Sequence, residues 1–283
     1  MRFRAFITAA LLAGAAAPVR TAAEPKQLSI VKPALRQYDD GPAVAAGYSF
    51  FTGDLVFCSF QIAGYKVSPD AKTDLRYQID AVDPDGVRLA EPIQQSIETE
   101  VSDEDKNWMP IVRESVLIPP LALGGVYRIK VMVEDRLSQQ TAKTEIEVPV
   151  RGRRVEPSQT LVARNFRFER SEDDRDAILN PVYHPGDTVW AHFEIIGFRH
   201  GEKNRLHVEY GVALMDASGK ALFSLPQAAV EKEESFYPKR YLPGALSLNL
   251  AKDIRPGEYT VVLTLRDEVG NQIQESRQAF RVE

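Results

Sequence analysis

The sequence predicts an all-β protein: two tandem antiparallel β-sandwich domains behind an N-terminal export signal. Three observations carry this. A segment near residue 55 returns 133 residues later, apolar residues alternate with period two, and turn residues separate the alternating runs.

The leader comes first. Arg2 and Arg4 precede an apolar stretch from Ala5 to Ala17, which is too short to span a bilayer. Cleavage after Ala17 would leave Pro18 first. The small residues Thr21 and Ala23 therefore set the expected signal peptide at residues 1–23. Its removal takes the formal charge from −5 to −8, because Arg2, Arg4 and Arg20 leave and no acid does. No Cys near the cleavage region supports lipid attachment, no twin-arginine pair is present, and no later stretch is long and apolar enough to span a membrane. The chain is expected to be exported and soluble, in the periplasm or outside the cell. Its single Cys cannot form an internal disulfide, so stability must come from burial in two cores.

The repeat sets the domains. The run from Gly53 to Tyr65 aligns with Gly186 to Phe198, sharing Gly, Asp, Val, Phe, Ile and Gly. The same offset of 133 aligns Tyr77 with Tyr210, Asp83 with Asp216, Gly86 with Gly219 and Leu89 with Leu222. An offset of 132 aligns Gly125, Tyr127, Asp135, Gln140 and Val150 with Gly257, Tyr259, Asp267, Gln272 and Val282. The expected layout is a first domain over 28–150, a linker over 151–158 and a second domain over 159–283.

Each strand then follows from alternation. Val189, Ala191, Phe193 and Ile195 alternate with Trp190, His192 and Glu194. Leu206, Val208, Tyr210, Val212 and Leu214 form a second inward set, and Tyr259, Val261, Leu263 and Leu265 a third. Pro185-Gly186-Asp187, Asp216 to Gly219, Pro256-Gly257 and Gly270-Asn271 mark turns. About seven strands per copy are expected. A Tyr stands at the start of a late strand in each copy, Tyr127 and Tyr259, just after a tight turn.

These features resemble bacterial immunoglobulin-like or fibronectin-like domains. The residues that carry the resemblance are the opening at 183–189, the Pro-Gly-Glu-Tyr step at 256–259 and the hairpin at 266–271. It covers about residues 28–283 and implies fold only. It also implies that Tyr127 and Tyr259 are corner tyrosines, each hydroxyl bonding back to upstream backbone. The first segment is similar to macroglobulin-type sandwiches too, without a bait region or a thioester sequence. The Cys pair of antibody domains is missing: Cys58 and Ala191 occupy one inward strand position.

Chemistry is sparse. The charge is negative, and the one compact basic cluster is Arg151, Arg153 and Arg154, so nucleic acid is excluded as a partner. Cys58 reads as a small core residue. His184, His192, His200 and His207 all fall in the second domain, but strand spacing keeps His184 and His192 roughly 26 Å apart if both lie on one strand. Asp39-Asp40 and Asp173-Asp174 read as solvated acidic loops without a calcium-loop spacing. No metal, cofactor or catalytic motif is expected.

Aromatics are more telling. Trp108, beside Met109 and Pro110, and Phe236, Tyr237, Arg240 and Tyr241, around Pro238, lie on matching loops and are the candidate binding residues. The competing expectation is that they cover a sandwich edge or the interdomain contact. Phe57 and Trp190 are large yet sit on the outward strand phase, so something should cover that side. The expected function is a non-enzymatic binding or scaffolding protein with a protein or glycan partner of the cell envelope. The alternative is a carbohydrate- or substrate-binding accessory protein of an exported degradative system.

Overall fold

The computed structural model describes residues 27–105, 107–174 and 176–283. The expected signal peptide lies outside the described residues. Among them the protein is all-β, with sixteen strands in four sheets and no α-helix. No helix among them is long and apolar enough to cross a membrane.

The strands fall into two sets of eight. The first set is β1 (Ser29–Arg36), β2 (Phe50–Phe51), β3 (Leu55–Ala63), β4 (Lys72–Val82), β5 (Ile93–Glu100), β6 (Ile111–Leu117), β7 (Gly125–Asp135) and β8 (Gln140–Arg151). The second is β9 (Val162–Glu169), β10 (Val182–Tyr183), β11 (Thr188–Ile196), β12 (Leu206–Asp216), β13 (Ala221–Glu233), β14 (Leu242–Asn249), β15 (Gly257–Asp267) and β16 (Gln272–Val282).

In each half a three-stranded sheet faces a five-stranded one. The orders are β1-β3-β6 against β2-β8-β7-β4-β5, and β9-β11-β14 against β10-β16-β15-β12-β13. The count is eight strands per half rather than seven. The additions, β2 and β10, are two residues long and run parallel to β8 and β16, so the sheets are not wholly antiparallel. Two residues are too few for alternation to register. Strand β8 also runs one residue into the expected linker, ending at Arg151.

The inward phases are as expected. Val56, Cys58, Phe60 and Ile62 are buried on β3, and Val189, Ala191, Phe193 and Ile195 on β11. Each such Val, Ile or Phe side chain contributes about 1.5–3 kcal/mol by leaving water.

Polar pins of the same design close both sandwiches. The Tyr127 hydroxyl donates to the Leu123 carbonyl at 2.7 Å, and Tyr259 to Arg255 at 2.6 Å. Buried Asp135 accepts from the Lys66 and Leu137 amides, as Asp267 does from Arg199 and Val269. Gln140 accepts from the Leu28 amide and Gln272 from Leu161. Gly197, at φ +77°, ends β11 where a Cβ would lie 2.0 Å from the Thr160 carbonyl oxygen, so no other residue fits.

Candidate functional site

The five expected binding residues do not form one surface. Trp108 and Phe236 are exposed, but on different halves. The Trp108 carbonyl accepts from the Tyr65 hydroxyl at 2.7 Å, and its ring meets Tyr65 edge-on. Tyr237 and Tyr241 correct the loop expectation: both are buried, at 6% and 5% exposure. A ligand cannot stack on them. Tyr237 serves the contact between the halves.

That contact joins a buried aromatic to a set of polar groups. Tyr237, on the loop between β13 and β14, packs in the core of the first sandwich. Its hydroxyl donates to Asp83 at 2.9 Å. Arg240 reaches Asp83 and Asp85, each at 3.4 Å. Burial, with Asp83 alongside, pushes the Tyr237 phenol up to about 12. Asp83 keeps a second set of bonds, from the Asp85 and Val87 amides of its own turn. Asp216 makes the matching turn bonds to Ser218 and Lys220. Across the junction, Arg153 pairs with the buried carboxylate of Glu194, whose other oxygen accepts from Asn165 at 2.7 Å.

A cleft of about 230 Å³ opens beside this contact, lined by Asp85, Leu123, Val155, Phe198, His200 and Arg240 among others. Burial, assisted by the charge of Arg240, holds the His200 imidazole below its usual range. Its Nε2 has no hydrogen-bond partner among the described residues.

A second cluster lies on the outward face of the sheet β9-β11-β14. Strand alternation sends Trp190, His192 and Glu194 to this face, and cross-strand register sets Glu169 opposite Trp190 and Arg167 opposite His192. Ser247 and Ala245 flank the same two residues from β14. The Glu169 side chain has 0% exposure although it points outward. One oxygen accepts from Arg167 Nε at 2.5 Å, and the other pairs with His192 Nδ1. The matching face of the first sandwich carries Phe57, Ser59 and Arg36, with Arg36 donating to Ser59 at 2.7 Å and to the Gly41 carbonyl.

Sequence reasoning missed Glu169, Arg167, Glu194 and Asp83 as site residues. Outward acids on strands read as solvated. A usable signal was the row Trp190, His192, Glu194, where an indole and an imidazole replace Phe57 and Ser59.

The remaining candidates are placed as follows. Cys58 is buried, and burial followed by the neighbouring Glu114 pushes its thiol up to about 12. Among the described residues, no group of three or more His, Cys, Asp or Glu side chains is placed to hold a metal ion.

No protein-family model matches the chain, and no curated protein matches it. Solved structures that are similar at low level include these two. One is a family 123 glycoside hydrolase from Clostridium perfringens, 11% identical, with a TM-score of 0.31, matching 44% of this chain and 27% of that one. This chain thus spans about a quarter of that hydrolase. The other is the C-terminal domain of the AgI/II polypeptide BspA of Streptococcus agalactiae, 11% identical, with a TM-score of 0.32, matching 90% of this chain and 99% of that one. Scores this low carry no argument, and the fold rests on the strands and sheets themselves.

Proposed function

We propose that this is an exported, non-enzymatic binding or scaffolding protein made of two immunoglobulin-like β-sandwich repeats. One observation supports it most: each of the buried carboxylates is engaged by structural partners. Asp135 and Asp267 hold backbone amides, Asp83 holds a turn and Tyr237, Glu169 holds Arg167 and His192, and Glu194 holds Arg153 and Asn165. A general acid or base needs a free, accessible carboxyl beside a substrate.

The test is affinity capture. The chain lacking residues 1–23, immobilised, should retain a protein or glycan from cell-envelope extract and release it with unchanged mass. An empty column removes the binding reading. Release of a cleaved or modified component removes the non-enzymatic one.

The second reading, a carbohydrate-binding accessory protein, is favoured by Trp190. It lies half-buried on an outward sheet face, beside oriented hydrogen-bonding groups from Arg167 and His192. Sugars stack their C–H faces on such rings while planar polar side chains take their hydroxyls.

A further inference from the structure

We propose that the outward face of β9-β11-β14 binds a carboxylated sugar of an acidic polysaccharide. The inference deepens the carbohydrate reading above and rests on it.

The site is built rather than incidental. Burying a carboxylate costs free energy unless it is paired and hydrogen-bonded. Glu169 is fully buried on a face where an acid would ordinarily stay in water, and both its oxygens are taken, by Arg167 Nε and His192 Nδ1. The consequence is orientation. With Nε held by Glu169, the Arg167 guanidinium keeps its two Nη groups, which make no hydrogen bond among the described residues. With Nδ1 engaged, His192 keeps Nε2. Both side chains are 26% exposed, leaving the Arg167 Nη donors and the His192 Nε2, an acceptor in the neutral ring, available to a ligand. Two polar side chains locked by one buried acid are pre-organised, and little side-chain entropy is lost when a ligand accepts from the Arg167 Nη groups or donates a hydroxyl to His192 Nε2.

The neighbours fit a sugar ring. Trp190 stands opposite Glu169, and the small exposed Ala245 and Ser247 flank His192 and Trp190 from β14. A ring over the indole and these short side chains would meet nothing bulky.

Charge selects an acid. Both carboxylates on this face are buried and paired, leaving the unpaired donor capacity on the cationic side, with Arg164 set opposite Glu194 farther along. The acidic stretch Glu172 to Asp174 follows β9 at the Glu169 end. It repels an anion there. The sugar carboxylate is therefore directed toward Arg167 and Arg164, with the ring on Trp190. The chain as a whole is acidic, so bulk charge opposes this ligand, and attachment must come from the local site.

Affinity electrophoresis through gels containing polysaccharide tests this, using the chain without residues 1–23. The probes are pectate, alginate and hyaluronan as uronate polymers, fully methyl-esterified pectin as the neutral match to pectate, and xylan and hydroxyethylcellulose as neutral glycans. We expect retardation in at least one uronate gel, reduced by added NaCl, because exposed guanidinium–carboxylate contacts are screened. Trp190→Ala and Arg167→Gln should each weaken it by about tenfold or more, whereas Phe236→Ala should leave it unchanged. Arg167→Gln also leaves Glu169 half-paired and can disturb the fold. Ser247→Glu avoids this: it adds a like charge at an exposed position, should abolish retardation, and should keep the wild-type circular dichroism spectrum. Equal retardation by esterified pectin and pectate overturns the acid preference and leaves the carbohydrate reading standing. Retardation in neutral gels alone does the same. No retardation in any gel overturns both. Uronate binding unaffected by Trp190→Ala and Ser247→Glu overturns this site.

Discussion

At the scale of the residue, burial decides what each reactive group does. Cys58 lies inward on β3, and its thiol is pushed up to about 12, so almost no thiolate exists near neutral pH. A thiol reagent at pH 8 should label it only after unfolding; rapid labelling of the native chain would mean the strand phase is wrong. The corner hydroxyls can be tested by Tyr127→Phe and Tyr259→Phe. Each leaves a backbone carbonyl without its partner, and each should cost about 1–3 kcal/mol in thermal or urea unfolding. Tyr127 also lies beside Tyr237, so its loss should be the larger of the two. Unchanged unfolding in both variants would remove the corner from the fold. His200 gives a pH effect of defined sign. Its folded-state pKa lies below the ordinary 6.5, through burial first and Arg240 besides. Just below pH 6.5 the unfolded chain therefore binds more protons than the folded one. Stability should fall as pH drops through 6.5, and His200→Asn should flatten that slope. An identical slope in the variant would show that His200 is not the group responsible.

At the scale of the element, the loop between β13 and β14 divides its neighbouring aromatics between two roles. Phe236 is 47% exposed, whereas Tyr237 is 6% exposed and packs in the first sandwich's core. Phe236→Ala should change stability by less than about 0.5 kcal/mol, as surface substitutions do. Tyr237→Ala should cost about 3–5 kcal/mol, the range for a large buried aromatic, and leaves Asp83 without its hydroxyl donor. Similar melting temperatures for the two variants would contradict this division. The strands themselves were legible because alternation records a one-sided core: the inward sets on β3, β11, β12 and β15 read directly. The corner tyrosines were legible because a turn and an aromatic are adjacent in sequence. What alternation cannot carry is a partner from far along the chain. Asp83 and Asp216 occupy matching turns and bond their own amides alike. Tyr237 and Arg240, 154 and 157 residues away, make Asp83 a junction residue. Glu169 and Glu194 are similar cases, since an outward acid becomes buried only when Arg167, His192, Arg153 and Asn165 close over it in three dimensions.

At the scale of the whole molecule, the two halves share a frame but do not depend on each other equally. Each has its own sheets and its own core. The first core, however, includes Tyr237 from the second half, while among the described residues the second core receives from the first only the partly buried Leu121. The first half therefore borrows a full aromatic, and the second borrows the edge of an aliphatic. A domain is stable by only about 5–15 kcal/mol, so losing a contribution of about 3–5 kcal/mol removes a large share of its margin. The second half gives up less hydrophobic burial, but it also loses Arg153 from Glu194, a carboxylate that keeps Asn165. Arg153 is half exposed, which limits what that pair is worth. The expectation is asymmetric. Residues 28–158 expressed alone should melt well below the transition assigned to them in the whole chain, and should bind a hydrophobic dye where Tyr237 is missing. Residues 159–283 alone should stay close to their own transition in the whole chain. Calorimetry of both pieces and of the whole chain measures this directly. If 28–158 melts unchanged while 159–283 collapses, Tyr237 is not the contact that couples the halves.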